Sequence, residues 1–310
     1  MNYDIIGDIH GQAGKLRGLL VRLGYRQKDG AYRHPDRQAL FVGDFIDRGP
    51  CQLESVMTVR RMVDAGSAQA VMGNHEFNAI AWHTPDPESP GEFLRPHTGE
   101  LGRKNKKQHA AFLAEVEATP ALHTEVIDWF LTLPLWLDLP ELRVVHACWH
   151  DGYMKELGAH LTPHQQLTRR LMVDASREGS MEFRTVEGLT KGLEIALPDG
   201  HVFHDKDGHL RRHVRIRWWD TRASSYRDLA VMPEDLRERL PDMPILLDPR
   251  APCDIAKPVF FGHYWMTGVP ALQSDTTACV DYSAARDGPL VAYRWDGEPQ
   301  LDAGKFLSVG

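Results

Sequence analysis

Apolar and polar positions in the first third of the chain follow one rhythm. A short apolar run ends in a glycine-led polar cluster, and apolar residues at helical spacing follow. Tyr3, Ile5 and Ile6 predict a strand over 2–6 ending at Gly7. Ala13, Leu16, Leu19, Leu20 and Leu23 predict a helix stopped by Gly24. The pattern repeats with a strand over 39–42 ending at Gly43, a helix over 52–65, a third strand over 68–72 ending at Gly73 and a helix starting near His75. Beyond Trp82 the rhythm loosens, and the Pro-, Gly- and charge-rich stretch 83–107 reads as a long surface loop or lid. Helices over 108–118 and 122–133 and a strand over 142–145 ending at His146 come next. Residues 151–257 are mixed, with a helix-like piece over 181–197. A turn signal at Asp207-Gly208 lies between Val202-Phe203 and Val214-Arg215-Ile216. Strands over 259–261, 278–282 and 290–295 close the chain.

Several polar clusters therefore sit at the carboxyl ends of strands, where open α/β folds place their sites. Because the motifs resume at Gly262-His263, the 310 residues read as a single domain in which 151–257 is an insert or cap over the site. The balance of 36 basic against 43 acidic residues argues against general nucleic-acid binding, and no run approaches the roughly 20 apolar residues of a membrane span. Cys51, Cys148, Cys253 and Cys279 are scattered without CxxC spacing, as reduced thiols would be. With the first strand beginning at residue 2, a signal peptide has no room, and a cytoplasmic protein is expected.

The chemistry is concentrated in five clusters: Gly7-Asp8-Ile9-His10-Gly11, Gly43-Asp44-Phe45-Ile46-Asp47-Arg48-Gly49, Gly73-Asn74-His75-Glu76, His146 and Gly262-His263. Asp8 and His10, one residue apart, can point the same way from a strand end, and a carboxylate with an imidazole suits Mn, Fe or Zn. Asp44 adds a carboxylate able to bridge two ions, and Asn74, His146 and His263 add an amide oxygen and two imidazoles. Six candidate ligands exceed what one ion takes while keeping an open position, so two metals are the simpler account.

GDxHG, GDxxDRG and GNHE in this order resemble the signature of the phosphoprotein phosphatase branch of the calcineurin-like metallophosphoesterases, which holds serine/threonine phosphatases and diadenosine tetraphosphatases. The resemblance is specific as far as Glu76 and afterwards rests on His146 and His263. It implies a four-layer α/β/β/α sandwich with an insert between the fourth and fifth motifs. It also implies two metals, manganese first and iron or zinc as alternatives. The first would be held by Asp8, His10 and Asp44, the second by Asp44, Asn74, His146 and His263. A water shared by the two would attack phosphorus directly. Arg48 would grip the phosphate, and His75, oriented by Asp47, would protonate the leaving oxygen.

The expected reaction is hydrolysis of phosphomonoesters, including phosphorylated Ser/Thr proteins. A dinucleoside polyphosphate hydrolase is the alternative, followed by an inactive scaffold, which would lack ligands or the acid. Substrates are thus a small ester, a phosphoprotein or a nucleotide. Two departures from the resemblance stand out: Ala147-Cys148 follows His146, and Trp265 occupies the place of a second histidine. His150 competes with His146 for the ligand role. The stretch from Arg211 to Trp219 reads either as an exposed strand buried on one side or as a substrate wall of arginines and tryptophans.

Overall fold

The computed structural model describes residues 1–204, 210–245, 248–250 and 257–310. Two sheets form its centre. The larger runs in the order Phe306–Val309, Leu290–Trp295, Asn2–Ile6, Arg37–Phe41, Ala68–Ala70, and the smaller in the order Thr277–Cys279, Val259–Phe261, Arg143–Val145, Trp136–Asp138. Asn2–Ile6, Arg37–Phe41 and Ala68–Ala70 are mutually parallel, with Ile6 opposite Phe41 and Phe41 opposite Ala70. Arg143–Val145, Val259–Phe261 and Thr277–Cys279 are parallel as well.

Alternation along these strands builds the layers. Ile5, Leu40, Val144, Phe260 and Tyr293 enter one buried cluster shared by both sheets, while their neighbours Ile6, Phe41, Val145 and Phe261 enter the cluster that packs on helices. A strand buried on both faces must be apolar at successive positions, hence runs such as Val259-Phe260-Phe261. Each such side chain contributes about 1.5–3 kcal/mol by leaving water, and Phe260→Ala would cost about 3–5 kcal/mol once the cavity is included. Helices Ala13–Arg22 and Gln52–Asp64 bury Leu16, Leu19, Leu20, Val56, Val59 and Met62 in the helix-side cluster. This is the expected sandwich.

Helix boundaries differ from the sequence expectation in one informative place. The Gly99–Val116 helix begins nine residues before the expected start at 108, inside the supposed lid. Its inner face carries Gly102, Asn105 and His109 before Phe112, Leu113 and Val116, whereas Leu101 is 55% exposed. Polar residues inside and an apolar one outside conceal the helical period. Helices Asp151–Gly158 and Arg169–Ala175, the Arg26–Lys28/Ala31–Arg33 hairpin and the strands Trp136–Asp138 and Phe306–Val309 also lie outside the expected elements.

The helix expected over 181–197 stops at Lys191, where Gly192 takes φ +82°, and Glu194–Ala196 then pairs antiparallel with His213–Arg215. Phe203–His204 accordingly pairs with Leu210–Arg211 instead of with the strand containing Val214. The Asp207-Gly208 turn itself lies outside the described residues, as does Cys253. No helix among the described residues is long and apolar enough to cross a membrane.

Candidate active site

Five strand ends converge on one point and are laced together by backbone contacts. The amides of Ile9 and His10 both donate to the Asp44 carbonyl, at 3.1 and 2.8 Å, and the Gly49 amide donates to the His10 carbonyl at 2.8 Å. The Gly262 amide donates to the His146 carbonyl at 2.8 Å, and that of His263 to Asp8 Oδ2 at 3.1 Å. Among the described residues, six of the nine non-glycine residues with positive φ lie here: His10, Asp44, Asp47, Arg48, His263 and Trp265. Such backbone costs about 1–3 kcal/mol per residue and persists only where its surroundings dictate it. Close approach explains the glycines: a Cβ on Gly73 would lie 2.2 Å from Asp44 Oδ1.

Asp44 Oδ2 sits among three imidazoles, 3.4 Å from His146 Nε2, 3.7 Å from His10 Nε2 and 3.8 Å from His75 Nε2. Carbonyl oxygens fix two of those rings. Nδ1 of His10 donates to Ile46 O at 2.9 Å, and Nδ1 of His146 donates to Val42 O at 2.7 Å. A carbonyl only accepts, so each Nδ1 carries a proton, and in the neutral ring each Nε2 turns a lone pair toward Asp44. Asn74 Oδ1 lies 3.3 Å from His146 Nε2. Asp8 Oδ1, His10 Nε2 and both ring nitrogens of His263 are buried without a hydrogen-bond partner.

Buried polar atoms are seldom orphaned, and this set consists of lone-pair donors, so the residues present fit cations. Two groups could each hold one, His10 with Asp44 and His75, and Asp44 with His146 and His263; they share Asp44. Electrostatics agree. Burial first, then the charges of Asp281 and Asp44, pushes the Asp8 carboxyl well above its usual range. Burial, with His75 adding to it, pushes His10 down to about 3, leaving it a neutral donor.

All six residues expected as metal ligands come together here. His150, the competitor of His146, instead caps the Asp151–Gly158 helix, accepting from the Tyr153 amide at 3.0 Å through Nδ1 and donating to Pro249 O at 3.0 Å through Nε2. His75 Nδ1 donates to Asp47 Oδ2 at 2.6 Å. Burial pushes the Asp47 carboxyl up, but the hydrogen bonds from His109 and His75 outweigh it and hold it below the usual range. The Arg48 guanidinium lies 4.1 Å over the Trp265 ring, and that of Arg286 lies 4.9 Å from the same ring. Cys148 is fully buried, its thiol pointing to Trp149 O at 3.7 Å.

Other contributors escape the motif reading. Glu76 accepts from the amides of Asp44, Phe45 and Gly73 at 2.8, 2.8 and 3.0 Å, clamping the second motif to the third. Gln52 Oε1 accepts from the Asp47 amide at 2.6 Å. Buried Asp281 accepts from the Trp265 amide at 2.8 Å and follows the Thr277–Cys279 strand, the same strand-end signal that marks the other acids.

The site opens into a cleft of about 1300 Å³ lined by Arg48, Arg95, Lys191, Arg211, Arg215 and Arg217. The Arg211–Trp219 stretch combines both expectations: Val214, Ile216 and Trp218 are buried while Arg211, Arg215 and Arg217 face the cleft. Its tryptophans are wall rather than platform, since Trp218 donates to Ala147 O at 2.9 Å and Trp219 packs on Phe261 and Tyr264.

The chain is 45% identical over 158 residues to asymmetrical bis(5'-nucleosyl)-tetraphosphatase PrpE of Oceanobacillus iheyensis, covering 51% of this chain and 58% of that protein. It is 50% identical over 76 residues to the protein of the same name from Halalkalibacterium halodurans, covering 24% of this chain and 31% of that one. The matches thus span little more than half of these curated relatives at most. A Saccharomyces cerevisiae protein serine/threonine phosphatase shares the fold, with a TM-score of 0.50 at 14% identity over 100% of this chain and 79% of that one. Residues 1–178 match the calcineurin-like phosphoesterase model, and the chain belongs to that family.

Proposed function

We propose that this protein is a two-metal phosphoesterase, most suited to manganese, working in the cytoplasm as a single domain whose residues 151–257 wall the cleft. The observation that carries the reading is Asp44 Oδ2 between His146 and His10, at 3.4 and 3.7 Å. Asp8, His10 and Asp44 would hold one ion, and Asp44, Asn74, His146 and His263 the other. Although His75 belongs to the first donor group, Asp8, whose Oδ1 is buried without a partner, would supply the third donor and leave His75 for proton transfer. Two bound ions supply positive charge at the phosphate oxygens and acidify water.

The chain's own residues do the rest. Arg48, held 4.1 Å over the Trp265 ring, forks onto two phosphate oxygens. His75 gives the proton on Nε2 to the leaving oxygen, and ionised Asp47 keeps Nδ1 protonated and the ring aligned. Asp281 and Glu76 fix backbone around the reacting groups.

For the substrate, the cleft favours an extended phosphate chain. Arg95, Lys191, Arg211, Arg215 and Arg217 line the same cavity as Arg48, and although Lys191 pairs with Glu187 and Arg215 with Glu194, the lining holds more cationic groups than one monoester phosphate needs. Dinucleoside polyphosphates therefore come first, in keeping with the names of the curated relatives, and phosphomonoesters or phosphoproteins second. Lys191, Arg211, Arg215 and Arg217 lie beyond residues 1–178, which match the family model.

The test is hydrolysis by metal-stripped protein resupplied with manganese, comparing p-nitrophenyl phosphate, a phosphothreonine peptide and diadenosine tetraphosphate. Preferred cleavage of the dinucleotide supports the first substrate reading, and preferred turnover of either monoester supports the second. No turnover of any of them would count against the phosphoesterase reading.

A further inference from the structure

We infer that His109 is a positioning residue for the proton donor, acting through Asp47. The inference rests on the reading of His75 as that donor. Asp47 has two carboxylate oxygens, and each is held by a different histidine: Oδ2 accepts from His75 Nδ1 at 2.6 Å and Oδ1 from His109 Nδ1 at 2.8 Å. An aspartate held at one oxygen keeps a broad, nearly two-fold torsion about its last bond. Held at both, with its own amide donating to Gln52 Oε1 at 2.6 Å, the carboxylate has one orientation, and the His75 ring follows it.

The second histidine comes from a different part of the chain, 62 residues on, in the Gly99–Val116 helix. It is 4% exposed and packs beside Phe112 and Trp82, ring centroids 4.9 and 6.2 Å away. Its Nε2 is buried without a partner, so the hydrogen bond to Asp47 is what orients the ring. The helix that delivers it also presents Gln108, which accepts from Arg95 Nη2 at 2.8 Å, so the donor's alignment and one cleft arginine depend on the same element.

The experiment compares wild type with His109→Ala, His109→Asn, His109→Gln and His75→Ala on aryl phosphates of increasing leaving-group pKa, with bound metal counted for each. An Asn amide nitrogen can stand where Nδ1 stands and donate to Asp47; that of Gln stands nearer Nε2 and cannot. General acid catalysis is typically worth about 10²–10⁴-fold, so His109→Ala should lose roughly 10-fold or more of kcat on phenyl phosphate and much less on 2,4-dinitrophenyl phosphate. His109→Asn should recover most of that loss, His109→Gln little, all with unchanged metal content. In nitrogen-15 spectra of the metal-free protein, the His75 Nδ1 proton should broaden in His109→Ala and sharpen again in His109→Asn.

A loss equal across the leaving groups, or Asn and Gln behaving alike, overturns the inference if His75→Ala still shows the leaving-group dependence. If His75→Ala shows none, the proton-donor reading falls and the role of His109 falls with it.

Discussion

Asp44 and His146 meet at 3.4 Å, Oδ2 to Nε2, although the strands that lead to them lie in different sheets. The contact spans the sandwich at its carboxyl edge. It is supported from behind by Val42 O, which accepts from His146 Nδ1, and by Glu76, which holds the Asp44 amide. Placement of the candidate metal donors is thus a property of both sheets, and disturbing either one should be felt at the centre.

Glu76→Gln tests that support. One carboxylate serves three backbone donors, and an amide offers a single acceptor oxygen and turns its own N–H groups toward the others. Burial and the neighbouring Asp44 raise the Glu76 carboxyl to about 7, so above that pH metal-free protein should lose roughly 2–4 kcal/mol of stability in urea unfolding, since hydrogen bonds to a buried charge are worth about 1.5–3 kcal/mol each. A loss no greater than that of an ordinary surface substitution would show that the three contacts do not hold the motifs.

Arg48→Ala removes the proposed phosphate fork while leaving the candidate metal donors in place. Loss of one preorganised group on a developing oxyanion typically costs about 10²–10³-fold, and kcat/KM should fall by that order with metal content unchanged. Arg48→Lys should recover little, because a point charge cannot reproduce the bidentate plane.

The first half of this centre is legible in the sequence because Asp8, Asp44 and Asn74 each follow a strand whose apolar run ends at a glycine. His263 follows Val259–Phe261 and a glycine in the same way, and His146 is legible because it directly ends the apolar Arg143–Val145 strand. His109 and Asn105 are not: they lie on the inner face of a helix whose apolar Leu101 faces out, so periodicity points away from them. Asp281 carries the strand-end signal but is read as part of the strand. The contacts of Glu76 and Gln52 are made to backbone amides, which no side-chain motif specifies. In the cleft wall, alternation reveals that Val214 and Ile216 point inward, yet which charged residues share a cavity with Arg48 depends on long-range packing.

Arg215→Ala and Arg217→Ala should separate the two substrate readings. If these arginines bind outlying phosphates, each should raise KM for diadenosine tetraphosphate by about 10-fold, the loss of one charged hydrogen bond, with p-nitrophenyl phosphate turnover unchanged within about twofold. Equal effects on both substrates would reduce the arginines to wall.

Asp86 ties the 84–94 loop to the second half of the chain. Arg177 donates to its Oδ2 at 2.9 Å and to its Oδ1, and these bonds pull the carboxyl down to about 2. A folded pKa below the unfolded value of about 3.9 gives stability that is fully present above that value and lost as pH falls toward 2. Asp86→Asn should therefore be less stable than wild type at pH 7, with the gap narrowing between pH 5 and pH 3. A gap that stays constant over that range would mean the ion pair contributes no pH-dependent stability.

The most direct test is equilibrium dialysis of metal-stripped wild type and Asp44→Ala against manganese, with bound metal measured per chain. The shared carboxylate predicts two ions per chain for wild type and loss of both, along with hydrolysis, in the variant. One ion or none in wild type, or two retained by Asp44→Ala, would contradict a two-metal centre bridged at this residue.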